Sequence, residues 1–325
     1  MKKVGIIGAA GYVGGEMCRL LLLHPDVELA FAQSASNATK PLWSVHEDLF
    51  GDTDMCFSSE VDLSVNVLFL CSGHGKSVEF LSTHTIKDSC AVIDLGNDFR
   101  LVADSCYGGR HFAYGLQDFF AEDVQKCGNV ANPGCFATAI QLGILPLATA
   151  GLLSDDIHVT AITGSTGAGQ SLSQSTHFSW RANNLSTYKT FTHQHLAEIG
   201  ESVTRLQPSF SSSINFIPYR GDFPRGIIAT IHTRCQLSEA ELLELYSQHY
   251  STSCFTFVSE RAVSLKQVVN TNKCLLHIEK HGEYVLITSV IDNLLRGAAG
   301  QAVENMNQIL GLPPQSGLKL KPLAF

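Results

Sequence analysis

Val4-Gly5-Ile6-Ile7-Gly8-Ala9-Ala10-Gly11-Tyr12-Val13-Gly14 is the stretch whose reading decides the fold. The apolar run from Lys3 to Ile7 predicts a short strand, and Tyr12 to Leu23 predicts a helix ended by Pro25. Three glycines spaced G-x-x-G-x-x-G lie between strand and helix, a variant of the dinucleotide fingerprint. They allow a tight turn and close approach of a pyrophosphate, whose charge then meets the helix N-terminus. A flexible turn is the plainer alternative; the strand before and the helix after favour a nucleotide. Gly8, Gly11, Tyr12, Val13 and Gly14 are therefore expected cofactor contacts.

Further short apolar runs follow at Val27 to Ala32, Val67 to Cys71 and Ala91 to Leu95, separated by helical stretches. That alternation implies a parallel sheet covered by helices on both faces. Beyond it the pattern changes to longer alternating strands at His158 to Thr163, Ile214 to Ile217, Ile227 to His232 and Glu283 to Ile291. The last two read as antiparallel, with His281-Gly282 as a tight turn. Ser238-Glu239-Ala240-Glu241 is a capping box that predicts a helix to about Tyr250. A last helix is expected from Asn293 to about Leu310. The fold class is α/β followed by α+β.

The end of the second strand bears on the choice of nucleotide. An acidic residue there would bind a ribose 2′-hydroxyl. Gln33-Ser34-Ala35-Ser36-Asn37, with Lys40 nearby, offers no carboxylate to repel a 2′-phosphate and hydroxyls to donate to it. NADP(H) is the expected cofactor, with Ser34 and Ser36 as contacts.

The composition is globular: 325 residues, 45% apolar and 16% charged, enough for two domains. A net charge of −8 argues against nucleic acid as a partner, although local arginines could still hold an anionic substrate. No apolar run approaches the roughly 20 residues needed to cross a bilayer, so no membrane partner is expected. No secretory cleavage signal is visible, and a cytoplasmic location is expected. Ten cysteines include no C-x-x-C pair, which disfavours zinc ribbons and dithiol redox motifs. Most of them, such as Cys71 within an apolar run, read as packing residues.

Cys135 stands apart by its context. Asn132-Pro133-Gly134-Cys135 precedes the apolar run Phe136 to Leu145, with Asn132 as an N-cap and Pro133 suited to the first helical position. Cys135 would then lie in a first turn, where unpaired N–H groups and the dipole stabilise a thiolate nucleophile. A core cysteine at a helix start is the plainer alternative. Pro146 predicts a kink or an early end to that helix. A thiolate needs a proton-transfer partner, and His193-Gln194-His195 supplies two imidazoles. Alternate histidines could also begin a metal site, but no third ligand is evident nearby and none is expected.

Together these segments resemble the N-acetyl-γ-glutamyl-phosphate reductases of arginine biosynthesis, a family that belongs with the aspartate-semialdehyde dehydrogenases. The segments are the glycine turn, Asp94-Leu95-Gly96-Asn97-Asp98-Phe99-Arg100, Tyr114-Gly115-Leu116, Asn132 to Cys135, His193 to His195 with Glu198-Ile199, Arg225-Gly226, and Ile291 through Gln301. The resemblance runs from Gly5 to about Leu312. It implies a Rossmann-type NADP-binding domain, residues 1–134 plus 293–325. A glyceraldehyde-3-phosphate-dehydrogenase-like catalytic and oligomerisation domain would occupy residues 135–292.

The implied activity is NADPH-dependent reductive dephosphorylation of an N-acyl-γ-glutamyl phosphate through a Cys135 thioester, with His195, or His193 beside it, as acid/base. The implied substrate groups are Arg100 and Asn132 for phosphate and Arg225 for the α-carboxylate. Ser72, Gly73, Ser165, Gly167, Asn293 and Gly297 are implied near the cofactor. A homodimer or homotetramer is implied as well.

Departures are visible too. Phe136-Ala137 replaces the family's usual Tyr-Pro, Gln194 its usual Arg, and Ser34-Ala35-Ser36 lacks an Arg often found beside the 2′-phosphate. The segment from His177 to Leu185 is unlike commoner members, which leaves an N-succinyl group open beside N-acetyl, with Arg181 as partner for a second carboxylate. Two other readings compete: an aspartate-semialdehyde dehydrogenase, and a noncatalytic NADP-binding redox sensor.

Overall fold

A computed structural model describes residues 1–323. Residues 324 and 325, the end of the expected return segment, lie outside the described residues. The chain divides into two compact units. The first is Met1–Pro133 with Ala298–Lys319, and the second is Gly134–Gly297 with residues 320–323.

The first unit opens with β1 (Lys2–Ile7), α1 (Tyr12–Leu22), β2 (Val27–Gln33), β3 (Val67–Leu70), α2 (Lys76–Thr83) and β4 (Ala91–Asp94). A two-stranded ribbon, β5 (Cys106–Tyr107) and β6 (Arg110–His111), precedes β7 (Ala113–Tyr114), α3 (Gln117–Cys127) and β8 (Val130–Ala131). The main sheet is parallel throughout, in the order β2-β1-β3-β4-β8-β7. Its central strand β3 is buried along its whole length, as a strand covered on both faces must be. Ile7, Leu68, Leu70, Val92, Phe99 and Phe112 share one core.

The second unit contains α4 (Cys135–Thr149), β9 (Ile157–Thr163), α5 (Phe178–Arg181), β10 (Ser186–Thr187), α6 (His195–Leu206), β11 (Ile214–Arg220) and β12 (Ile227–Arg234). It continues with α7 (Glu239–His249), β13 (Thr256–Ser259), β14 (Cys274–His281) and β15 (Tyr284–Ile291). Its sheet is mixed, in the order β10-β11-β9-β12-β15-β14-β13. Burial alternates along β12, and α4 packs on β12, β15 and α6. The capping box at Ser238 is present, and Gly282 turns β14 into β15 with φ +58°.

Three local expectations need correction. Pro146 neither ends nor splits α4, which continues to Thr149. Proline removes the donor for the carbonyl four residues back. Here the Tyr250 hydroxyl donates to the Leu142 carbonyl at 2.5 Å, and the Tyr246 hydroxyl to the Gly143 carbonyl at 2.5 Å. The N-cap of α4 is Gly134, not Asn132. The Asn132 amide is committed elsewhere, donating to the Ala298 carbonyl at 3.1 Å and accepting from Asn305 at 3.1 Å.

The final helix, α8 (Ala299–Leu310), starts six residues later than Asn293. Residues 293–297 belong to the second unit, because Asn293 accepts from the Gly226 N–H at 2.7 Å and donates to Thr166 at 3.0 Å. In the first unit α8 packs against α1 and α3, and its Asn307 is hydrogen-bonded to His24 at 3.0 Å.

Candidate active site

Cys135 is the first residue of α4, half-buried, at the helix end whose dipole favours a thiolate. Two glycines make room around it. A Cβ at Gly134 would collide with Nε2 of His195 and lie 2.7 Å from Oε1 of Glu198. A Cβ at Gly297 would lie 2.7 Å from the Cys135 Cβ. These contacts explain why glycine stands at both positions, and they place His195 and Glu198 against the residue before Cys135 and Gly297 against Cys135 itself.

His195 and Glu198 are three residues apart, on one face of α6. Both are buried, with Nε2 of His195 3.8 Å from Oε1 of Glu198. The other oxygen, Oε2, accepts the Gly134 N–H at 3.0 Å. One buried carboxylate thus faces an imidazole and holds the backbone N–H next to Cys135. Glu198 was visible in the sequence only as part of a motif. Its role depends on α6 packing against α4, which no local pattern reveals.

His193 occupies a different environment. Its ring lies against Phe136, Tyr188, Phe216 and His195, with Nδ1 accepting the His195 N–H at 3.2 Å. Burial, then Lys189 and Arg220, push its pKa down to about 4, so it is neutral at pH 7. Tyr188 is pushed up to about 12 by burial and by Cys135, against the pull of Arg220. The Arg220 guanidinium lies 4.5 Å above the Tyr188 ring. Tyr188 and Arg220 belong to this cluster and were not singled out from sequence, because neither sits in a recognisable spacing.

The arginines named from sequence have internal partners. Arg225 grips Asp292 with two donors, at 3.1 and 3.2 Å. Asp292 also accepts the N–H groups of Asn270, Leu294 and Leu295, so the pair organises the turn leading to Gly297. Arg181 donates to the Ser175 carbonyl from Nε and Nη2, and to the Arg220 carbonyl from Nη1. Arg181, expected from sequence to meet a second carboxylate, thus has these guanidinium donors on main-chain carbonyls. In the first unit, Nε of the buried Arg100 donates to the Asn132 carbonyl at 2.9 Å. Among the described residues no group of three or more His, Cys, Asp or Glu is placed to hold a metal ion.

The nucleotide end is built from backbone. Gly8 has φ +80°, and a Cβ there would lie 2.6 Å from the Ser72 hydroxyl and 2.8 Å from its Cα. At Gly14 a Cβ would lie 2.6 Å from the Ala9 carbonyl, so glycine lets α1 pack onto the turn. Gly11 is the N-cap of α1, and the nearest atom to a Cβ there is the Gly8 carbonyl oxygen at 3.9 Å. Internal packing does not demand glycine at this position, and the open space beside it fits the close approach of a dinucleotide. Tyr12 and Val13 begin the helix, and Ser72 and Gly73 are exposed on the loop after β3.

At the end of β2, Asn37 donates to the hydroxyls of Ser34 and Ser36 at 3.4 and 3.3 Å, and Lys40 donates to Asn37 at 3.3 Å. This set of donors, with no carboxylate, fits a 2′-phosphate. In the second unit, a Cβ at Gly167 would lie 4.0 Å from the Asn293 amide, and the Ser165 N–H donates to the Phe223 carbonyl. Asn293 thereby links the glycine-rich loop after β9 to the turn that carries Gly297.

Comparison with known proteins agrees with this architecture. Residues 3–126 match the family model described as semialdehyde dehydrogenase, NAD binding domain, and residues 135–293 match semialdehyde dehydrogenase, dimerisation domain. An N-acetyl-gamma-glutamyl-phosphate reductase from Flavobacterium johnsoniae is 52% identical, covering 100% of both chains. One from Phocaeicola vulgatus is 50% identical, again over 100% of both. Among solved structures, aspartate semialdehyde dehydrogenase II from Vibrio cholerae superposes with a TM-score of 0.74 at 17% identity, covering 96% of this chain and 99% of that one.

Proposed function

The chain belongs to the N-acetyl-γ-glutamyl-phosphate reductases of the semialdehyde dehydrogenase family, and from that membership we propose that it catalyses the NADPH-dependent reductive dephosphorylation of N-acetyl-γ-glutamyl phosphate to N-acetylglutamate semialdehyde in arginine biosynthesis. The carrying observation is Cys135 at the head of α4, with Gly134 and Gly297 clearing its approach and His195 beside it.

The Cys135 thiolate attacks the acyl carbon, the bond to the phosphate oxygen breaks, and inorganic phosphate leaves. The acyl group is then a thioester on Cys135. Bound NADPH supplies the hydride that this group takes up. His195 manages the proton of the resulting thiohemiacetal oxygen, and loss of the C–S bond releases the aldehyde and restores Cys135. His195 suits this role better than His193. Glu198 orients it, whereas Nδ1 of His193 is spent on a backbone N–H and its ring stays neutral.

Arg100 is the proposed phosphate-side cation, with Asn132 supporting it through its carbonyl. Ser34 and Ser36 are the proposed 2′-phosphate contacts. A homodimer or homotetramer belongs to this reading. It is supported by the match of residues 135–293 to a dimerisation domain and by exposed apolar side chains in that span, among them Leu172, Phe178, Leu185 and Phe191. A cytoplasmic location suits a protein whose ten cysteines are all free; no helix among the described residues is long and apolar enough to cross a membrane.

NADPH oxidation with N-acetyl-γ-glutamyl, N-succinyl-γ-glutamyl and β-aspartyl phosphates tests the reading. The N-acetyl substrate should be turned over fastest. Cys135→Ser should lower kcat by about a thousandfold or more while retaining NADPH binding. Wild-type turnover by Cys135→Ser would sink the mechanism, and preference for the N-succinyl substrate would change the acyl group.

A further inference from the structure

We propose that Arg220 binds a carboxylate of the substrate: its guanidinium, seated on the Tyr188 ring beside His193, pairs with the N-acylglutamyl carboxylate and sets the affinity for it. This rests on the reductase reading above.

Three arginines of the second unit are naturally considered for such a role. Arg181 and Arg225 have their guanidinium groups engaged by main-chain carbonyls and by Asp292. Arg220 differs. Its Nε is buried and has no hydrogen-bond partner. A buried guanidinium N–H left without an acceptor is costly, and a fork of donors on a flat ring presents the geometry a carboxylate accepts.

The surroundings favour an anion. Arg220 acts on Arg181 and, with Lys189, on His193 as a like charge. The nearby carboxylate, Asp222, is spent partly on the Asn183 N–H at 2.6 Å. The position is also right for the reaction. Tyr188 feels both Cys135 and Arg220, and His193 packs on Tyr188 and on Phe136, the residue after the nucleophile. In an N-acylglutamyl group bound to Cys135, the α-carboxylate is only a few bonds from the acyl carbon.

The carboxylate has two possible sources: the α-carboxylate common to all N-acylglutamyl substrates, or the distal one carried only by an N-succinyl group. The assay runs in reverse, as phosphate-dependent NADP⁺ reduction. Its substrates are N-acetylglutamate semialdehyde, N-succinylglutamate semialdehyde and 4-acetamidobutanal, which lacks both carboxylates. Wild type is compared with Arg220→Gln and Arg220→Lys, with melting temperatures confirming the fold; if the Gln variant does not fold, the Lys variant carries the test.

If Arg220 holds the α-carboxylate, the Gln variant raises KM about 10- to 100-fold for both carboxylated substrates, with kcat within a few-fold. The Lys variant shows a smaller rise, and 4-acetamidobutanal is used equally by all three proteins. A rise confined to the N-succinyl substrate supports the proposal with the distal carboxylate as its target. Unchanged KM values overturn it, as does an equal loss with 4-acetamidobutanal, which marks Arg220 as merely structural. Absence of any wild-type turnover overturns the reductase reading itself.

Discussion

The glycine turn between β1 and α1 is one continuous stretch, Gly8 to Gly14, whereas the thiol site is gathered from distant parts of its unit. Cys135 comes from α4, Tyr188 and His193 from the connection between β10 and α6, Glu198 from α6 and Arg220 from the end of β11. The turn offers backbone N–H groups and open space, and those depend on local φ/ψ and on missing side chains. The thiol site offers side-chain chemistry, and its groups acquire their roles from what packs beside them. A motif built from backbone is therefore written in consecutive residues; one built from side chains is distributed.

The sharpest test of that contrast lies within the turn. Gly11→Val should raise the NADPH KM about 100-fold yet leave the melting temperature of the free protein near wild type, because a side chain there meets almost nothing internal. Gly14→Val, beside the Ala9 carbonyl, should instead destabilise the fold itself. Equal destabilisation by both variants would mean that Gly11 serves packing, not the cofactor.

The thiol site predicts a pH effect. His193 titrates at about 4 when folded and near 6.5 when unfolded, so between those values the unfolded chain binds the extra proton. Stability is then lost as pH falls from about 6.5 towards 4, by about 2 kcal/mol between pH 7 and 5. Urea unfolding of His193→Gln should show that much less acid sensitivity than wild type. Identical pH dependence would place the imidazole in a wetter environment than its packing indicates.

The smallest effect expected is at Glu198. Glu198→Gln keeps an acceptor for the Gly134 N–H but removes the charge that faces His195. It should lower kcat about 10-fold and shift the pH–rate profile, with KM little changed. An unaltered profile would separate Glu198 from the proton transfer.

Much of the scaffold was legible from pattern: the opening strand and helix, the change from a parallel to a mixed sheet, and the capping box at Ser238. The errors cluster where long-range contacts override a local signal. Pro146 predicts a kink or an early end, but α4 runs on to Thr149 while two tyrosine hydroxyls from α7 and its C-terminal end meet the carbonyls involved. Asn132 has the chemistry of an N-cap, yet Ala298 and Asn305 claim its amide. Asn293 looked like the start of the last helix, yet Gly226 and Thr166 hold it in a turn.

By itself the sequence determined the nucleotide turn, the two-part architecture and the position of Cys135 at a helix start, because each depends on neighbours within a few residues. Only the tertiary structure decided which groups gather around that helix start. It brought Glu198 to His195 and Gly134, committed Arg181 and Arg225 to internal acceptors, and left Arg220 over Tyr188 with a buried donor still to be answered. Charge and hydrogen bonding are satisfied in space, not along the chain, so the same residue type can be a fastener at one position and a ligand-binding group at another.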